Sequence, residues 1–374
     1  MAGIYIHVPY CKVKCHYCDF HFSTNHQSKD EMVRAILNEL ELRKDYLGKE
    51  AISTIYFGGG TPSIFSSQQL GQILNQIYKN YSLSKDIEMT LECNPDDLNK
   101  AYLSDLKTLN INRLSIGIQS FDDKILKFMN RAHTNRQTEM AIGQVFDAGF
   151  ENITVDLIYG LIGTELNYWK KQLNQFLRYD IPHLSAYCLT IESKTYFGRL
   201  AKKGKLETIE DAKALEQFQY MMNFLKEKGY EQYEISNFAK DGKISRHNSA
   251  YWLGTNYLGI GPSAHSFNGT ERTWNISNNH AYTAALKQNI LNCETEILTT
   301  SNKFNEYILT RLRTKWGINL EDLKLLQPSA INKLKHQLIQ FQENALVKEQ
   351  KGFYFLTDLG KYEADGISAE LFVN

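Results

Sequence analysis

Three cysteines near the start of the chain, Cys11, Cys15 and Cys18, stand at C-x3-C-x2-C spacing in residues 3–20, G-I-Y-I-H-V-P-Y-C-K-V-K-C-H-Y-C-D-F. Thiolates bind soft metal centres, and iron–sulfur clusters are held by cysteines closely spaced on a loop. The usual cluster takes four protein cysteines, whereas here Asp19 and Phe20 follow the third. A [4Fe–4S] cluster on three cysteines leaves one iron open to an outside ligand. A partial zinc site is the competing reading of the same spacing. A disulfide framework is disfavoured: six cysteines in 374 residues, behind a start without a signal-peptide pattern, read as a reducing cytoplasmic setting. The other three, Cys93, Cys188 and Cys293, are scattered and read as small buried hydrophobes.

Further polar residues stand where strands should end. The run Gly58-Gly59-Gly60-Thr61-Pro62 follows an expected strand at 54–57; glycines there let backbone approach a ligand and expose N–H groups. In the strand beginning at Ile87, alternation puts Glu88, Thr90 and Glu92 on one face. Glu92 then points into a barrel mouth or caps the next helix. Gln119 ends the strand that begins at Arg113, and Arg131 lies on the loop after it. Asp156 sits among apolar neighbours in N-I-T-V-D-L-I-Y-G-L; burying it unpaired would cost on the order of several kcal/mol. Later, R-H-N-S-A-Y-W brings His247, Asn248, Tyr251 and Trp252 together. Histidine is a common axial ligand to haem iron, and aromatic rings stack on a porphyrin face. A lone histidine is more often a structural hydrogen-bonder. His265, in G-P-S-A-H-S-F, is a second candidate, with a conformational role in a glycine-rich turn as its alternative.

The elements that must position these residues alternate strand and helix. Apolar spacing predicts helices over 29–46, 67–81, 100–109, 134–148 and 165–179, and strands before and between them, ending with 183–191. Six β/α units imply a parallel sheet with right-handed crossovers, and functional residues at the carboxyl ends of strands fit barrel logic. The chain divides into residues 1–205, a partial barrel; 206–295, a flanking region carrying the histidine motif; and 296–374. This last part reads helix, short helix, helix, strand–turn–strand, helix, which is a winged-helix-like α+β pattern. Residues 301–374 carry ten Lys/Arg against nine Asp/Glu with no basic stripe, so we expect a packing or lid domain over the barrel mouth and no nucleic-acid binding. Across the chain, 42 basic residues balance 42 acidic ones, and no apolar run reaches membrane-spanning length.

The cysteine loop, with an aromatic residue before its last cysteine, resembles the radical S-adenosylmethionine (SAM) family. The wider Y-I-H-V-P-Y-C resembles its oxygen-independent coproporphyrinogen III oxidase branch, and H-N-S-A-Y-W resembles the haem-chaperone group within that branch. The resemblance implies an open (β/α)6 barrel. It implies a [4Fe–4S] cluster whose open iron chelates the methionine end of SAM, and an electron that cleaves SAM to a 5′-deoxyadenosyl radical. It assigns SAM contacts to Tyr5, Tyr17, Gly59, Gly60, Thr61, Glu92, Gln119, Arg131 and Asp156, the last three resembling positions for a second SAM. It places haem on His247, Asn248, Tyr251 and Trp252, and implies delivery to apo-haemoproteins, respiratory ones at the membrane. Peripheral membrane contact and a homodimer stay open. The alternative is a radical SAM oxidase that decarboxylates coproporphyrinogen III. Against it, the loop ends C-D-F where the oxidases continue C-x-C, and a first strand that begins at once leads us to expect none of their N-terminal extension.

Overall fold

Strand and helix do alternate through the first half of the chain. The computed structural model describes residues 1–373. Six strands, β1 (Ala2–Val8), β2 (Ile52–Gly59), β3 (Leu83–Cys93), β4 (Arg113–Gln119), β5 (Asn152–Tyr159) and β6 (His183–Cys188), pair in parallel and in chain order. The helices Lys29–Leu42, Ser67–Asn80, Lys100–Thr108, Asn135–Asp147 and Leu166–Leu177 connect them. Expected boundaries hold to within a few residues. The first helix stops at Leu42 instead of 46, although Leu47 beyond it is still buried. Two short helices, Asp123–Phe128 and Tyr196–Lys202, carry no apolar periodicity long enough to announce them.

Alternation sorts the strand residues between two environments. Ile4, Ile6 and Val8 of β1, Ile55 and Phe57 of β2, Leu114 and Ile116 of β4 and Val155 and Leu157 of β5 turn outward and are fully buried. They join Ile36, Leu70, Ile73, Leu103, Val145 and Trp169 of the helices in one core. Each such side chain contributes about 1.5–3 kcal/mol of transfer free energy. The residues between them turn inward and are polar: Tyr5, His7, Thr54, Tyr56, Glu88, Thr90, Glu92, Arg113, Ser115, Thr154, Asp156, His183 and Ser185. A polar lining is stable only where its groups bond one another or a ligand.

The region 206–295 has no core of its own and is built into the same sheet. The strands β7 (Glu231–Glu234), β8 (Asn237–Ala239), β9 (Tyr257–Ile260), β10 (His265–Phe267), β11 (Glu271–Asn275) and β12 (Cys293–Ile297) give the order β12-β11-β10-β9-β1-β2-β3-β4-β5-β6-β8-β7. β9 lies parallel to β1, with Tyr5 opposite Gly259, while β8 runs antiparallel to β6. The sheet is therefore open, with antiparallel extensions on both sides. A buried carboxylate pins one extension: Glu39 accepts from Tyr282 Oη (2.6 Å), Asn275 Nδ2 (2.7 Å) and Gly261 N (2.9 Å), and pairs with Arg43.

The C-terminal segment forms a second core around Phe304, Ile308, Leu323, Leu334, Leu338 and Ile367. Its small antiparallel sheet, in the order β13 (Ile318–Asn319), β15 (Phe353–Leu356), β14 (Val347–Gln350), stands among four helices in a winged-helix-like arrangement. It closes the β7 edge, where Lys315 N donates to Tyr233 O (2.9 Å) and Thr314 bridges Glu234. Among the described residues, no helix is long and apolar enough to cross a membrane.

Candidate functional site

A cavity of about 500 Å³ opens at the carboxyl ends of the parallel strands. Cys11, Cys15, Cys18, Tyr17, Gly59, Gly60, Thr61, Glu92, Gln119, Arg131 and Asp156 all line it. The chain therefore brings together residues that lie up to about 145 positions apart, because each follows or ends a strand.

The loop after β1 presents the three half-buried thiols. Burial pushes the metal-free Cys11 thiol up to about 12 and Cys18 up to about 11. Thr61 Oγ1 donates to Cys11 Sγ (3.5 Å) and Arg131 Nη1 to Cys15 Sγ (3.5 Å). Donors beside sulfur and a nearby cation offset the charge an anionic cluster brings. Among the described residues no three His, Cys, Asp or Glu side chains converge tightly enough to hold a single metal ion. The thiols frame an open cavity instead, and this donor set fits a [4Fe–4S] cluster on three cysteines. Three histidines steady the loop: His16 Nδ1 bonds Phe128 O (2.8 Å), His21 Nε2 bonds Asn279 Oδ1 (2.7 Å) and His26 Nε2 bonds Cys11 O (3.0 Å).

The glycine loop fits against the cysteine loop. A Cβ on Gly59 (φ +103°) would meet the His7 ring at 2.4 Å, and one on Gly60 would meet Tyr10 O at 2.5 Å. Its N–H groups are used within the protein, however. Gly59 N donates to Glu92 Oε2 (3.1 Å), Gly60 N to Val8 O (2.9 Å) and Thr61 N to Tyr10 O (2.7 Å). The expected exposed donors are thus absent at these three positions, and the loop offers close backbone approach only.

Glu92 also accepts from Tyr56 Oη (2.8 Å). Burial, with the Asp156 charge adding to it and hydrogen bonds from Tyr56 and Gly59 opposing it, raises its carboxyl to about 7. Burial likewise raises Asp156 to about 6, opposed by hydrogen bonds from Ser185 and Ser115 and by the Arg113 and Arg131 charges. Two carboxylates poised this way can bind a cationic ligand. Arg131 Nη2 donates to Asn94 Oδ1 and Gly117 O (2.6 Å each), which ties it to the rim. Gln119 has left-handed backbone (φ 63°) at an irregularity in the β4–β5 register, a strained conformation that aims its amide into the cavity.

Tyr5 is not in the lining. It stands one layer lower, bonded to His7 Nδ1 (3.1 Å) and stacked on Tyr56. Nor is the histidine motif at this end. The helix Arg246–Trp252 plugs the barrel floor, its first N–H groups capped by Glu88, which accepts from Arg246 N (3.1 Å) and His247 N (3.0 Å). His247 is fully buried inside the floor. Its Nδ1 bonds Thr54 Oγ1 (2.7 Å), its Nε2 bonds Tyr251 Oη (2.8 Å), and its ring stacks on Tyr56. Burial lowers it to about 3. In this arrangement both ring nitrogens are occupied, so the expected axial ligand acts as a structural hydrogen-bonder. Asn248, Tyr251 and Trp252 are half-buried, and the Arg313 guanidinium lies 5.8 Å from the Trp252 ring. By contrast His265 is exposed, stacked on Trp274, on a strip that continues through Phe267 and Tyr257 to Tyr251.

The expected lid is absent from the mouth: among the described residues, none beyond 192 lines the cavity. The C-terminal domain instead meets the floor, where Arg311 Nη2 donates to Leu253 O (3.2 Å), and covers the β7 edge that would otherwise stand unpaired. Residues overlooked in the sequence are Asn94, Ser115, Gly117, Tyr187, Cys188 and Glu192. Alternation from Glu92 and Arg113 would have found the first three. The exposed Tyr187 and Cys188 lie where β6 leaves the sheet, three residues before its expected end.

The Radical SAM superfamily matches residues 5–174. The chain is 33% identical over 365 residues to "Heme chaperone HemW" of Bacillus subtilis, covering 96% of each. It is 35% identical over 266 residues to the protein of that name from Escherichia coli, covering 70% of this chain and 69% of the relative. Among solved structures it is similar to the E. coli coproporphyrinogen III oxidase HemN, titled a radical SAM enzyme, with a TM-score of 0.85 and 20% identity over 100% of this chain and 90% of that one. At that identity the likeness is one of fold. The match to the Bacillus relative covers nearly the whole chain at 33% identity, and the chain belongs to the HemW family of radical SAM proteins.

Proposed function

We propose that this chain carries haem to apo-haemoproteins, respiratory ones among them, and that it holds a [4Fe–4S] cluster and SAM at the barrel mouth while doing so. The observation that carries the reading is the nearly full-length likeness to relatives named haem chaperones. The convergence of three thiols, two carboxylates, Gln119 and Arg131 on one cavity supports its cofactor half. Cys11, Cys15 and Cys18 would hold the cluster, and the cluster would supply an open iron site and electrons for reductive cleavage of a sulfonium. The protein's own part is binding: Glu92 and Asp156 face the positive charge of SAM, Tyr17 and Arg131 close the side nearest the cysteines, and Gln119 narrows the mouth. Asp156, Gln119 and Arg131 are also the residues for a second SAM, if two bind.

Haem belongs to the other side of the molecule. The floor helix and the aromatic strip beside it form a flat, partly apolar surface, with Trp252, Tyr251, Tyr257 and Phe267 available to face a porphyrin. His247 becomes a ligand there only by giving up Tyr251. His265 needs no such rearrangement, and its exposure favours it as a second ligand candidate. An anaerobic haem titration of cluster-loaded protein, beside His247→Ala and His265→Ala, tests this. Saturation near one haem per chain, spectrally altered in one variant, is expected and identifies the ligand. No saturable binding overturns the carrier reading and directs the work to a coproporphyrinogen III turnover assay.

A further inference from the structure

Arg113 is the largest charged side chain that is fully buried, 1% exposed, at the first position of β4. Alternation turns it inward with Ser115 and Gly117, both of which line the mouth cavity. It therefore lies one layer beneath that cavity. Its register neighbours, Thr90 and Asn152, are uncharged. Two of its guanidinium nitrogens, Nε and Nη2, have no hydrogen-bond partner, and among the described residues no ion pair includes it. A buried guanidinium without a bonded anion is costly, and such groups are kept where their field is used.

The groups that feel this charge surround it. Tyr56 faces it from β2, Asp156 from β5, His183 from β6, Tyr233 from β7 and His247 from the floor helix. From β3 comes Glu92 above, and Glu88 sits lower on the same face. Glu88 already binds two backbone N–H groups of the floor helix. His183 and His247 are buried neutral: each bonds a threonine through Nδ1 and a tyrosine through Nε2. Arg131, the other cation near Asp156, is committed to Asn94, Gly117 and Cys15. Only Glu92 and Asp156 combine a response to Arg113 with a place in the cavity.

We propose that Arg113 is a positioning residue for the cationic ligand of the mouth: from beneath the cavity, and without bonding either carboxylate, it favours the ionised forms of Glu92 and Asp156. Two carboxylates sharing a poorly solvated site repel, and one takes up a proton unless a cation intervenes. Arg113 supplies that cation from a distance and leaves the carboxylate oxygens free for ligand. The inference rests on the SAM reading above.

The test is SAM binding to cluster-loaded protein, by equilibrium dialysis from pH 6 to pH 9, for wild type, Arg113→Met and Arg113→Lys. Loss of the charge raises both carboxyls, so Arg113→Met is expected to bind SAM about tenfold more weakly near neutral pH and within about twofold of wild type near pH 9. Arg113→Lys follows the wild-type curve. A purely structural role would weaken binding by the same factor at every pH, and that outcome overturns the proposal. Should Arg113→Met fail to load the cluster, Arg113→Gln, which loses the charge and keeps hydrogen-bonding capacity, is put through the same profile. Arg113→Lys departing from wild type also counts against the idea. Wild-type protein that binds no SAM at any pH overturns the underlying reading instead.

Discussion

The two ends of the barrel use the same kinds of side chain in opposite ways. At the mouth, Glu92, Asp156, Gln119 and Arg131 are half-buried and turned toward a cavity, with both carboxyls raised by burial and that of Glu92 also by the Asp156 charge. At the floor, Glu88, His183 and His247 are buried and bonded to protein at each end. A polar group with unspent bonding capacity beside a cavity is poised for a ligand, while one whose capacity is spent holds structure. The contrast fits the cofactor chemistry proposed for the mouth and makes the floor a plug, so the proposed haem role for the floor helix rests on its outer face or on its movement.

The comparison breaks most visibly at the cysteines. Cys15→Ala is expected to lose the cluster outright while the floor and the fold survive, read as iron and acid-labile sulfide near zero with unchanged far-UV circular dichroism. Full iron content in that variant would remove the loop from metal binding.

Glu92→Ala comes next. Losing a charged partner costs about 1.5–3 kcal/mol, so SAM affinity should fall at least about tenfold with the cluster still present. Unchanged affinity would take Glu92 out of the site.

At the floor, His247→Ala strands the hydroxyls of Thr54 and Tyr251 and opens a void. We expect about 2–4 kcal/mol of lost stability in denaturant unfolding, with cluster content and SAM affinity unaltered. Full stability together with lost haem binding would make His247 a ligand and the plug a wrong description. The milder Tyr251→Phe removes one bond and should cost about 1 kcal/mol.

Acidity separates the ends by sign. Glu92 has a folded value of about 7 against an ordinary 4.5, so the folded state holds more protons in that window and its burial costs stability as pH rises through it. His247 has a folded value of about 3 against 6.5, so its contribution is complete above 6.5 and is lost as pH falls. In ligand-free protein, Glu92→Gln should therefore be more stable than wild type at pH 8, with the gain gone near pH 4.5. A gain independent of pH would mean that Glu92 is solvated.

Much of this was readable from residues alone. The cysteine loop, the glycine loop and the carboxylates at strand ends depend on local spacing and on period-two alternation, so their convergence followed once six β/α units were counted. What escaped depends on contacts between distant segments. Nothing around Tyr257 shows that β9 will pair with β1, because a four-residue strand has no periodicity to read. The burial of His247 was not legible because its partners, Thr54 and Glu88, lie more than 150 residues earlier. Tyr5 and the lining residues alternate along the same strand face, and only the height of the cavity floor decides which of them a ligand meets. The lid was misplaced because a domain's docking side is set by the unpaired β7 edge, which no composition records.

One consequence follows from the pairing of β1 with β9. The strand that leads into the cysteine loop is synthesised long before one of its two neighbours, which starts at Tyr257. Until that segment emerges, β1 has a bare edge and its loop lacks the Asn279 anchor of His21. So wide a sequence separation makes this a late, high-contact-order step in folding. The cysteine loop is thus made long before it is fixed in place, and a cluster held there, as proposed above, would load only after synthesis has passed β9.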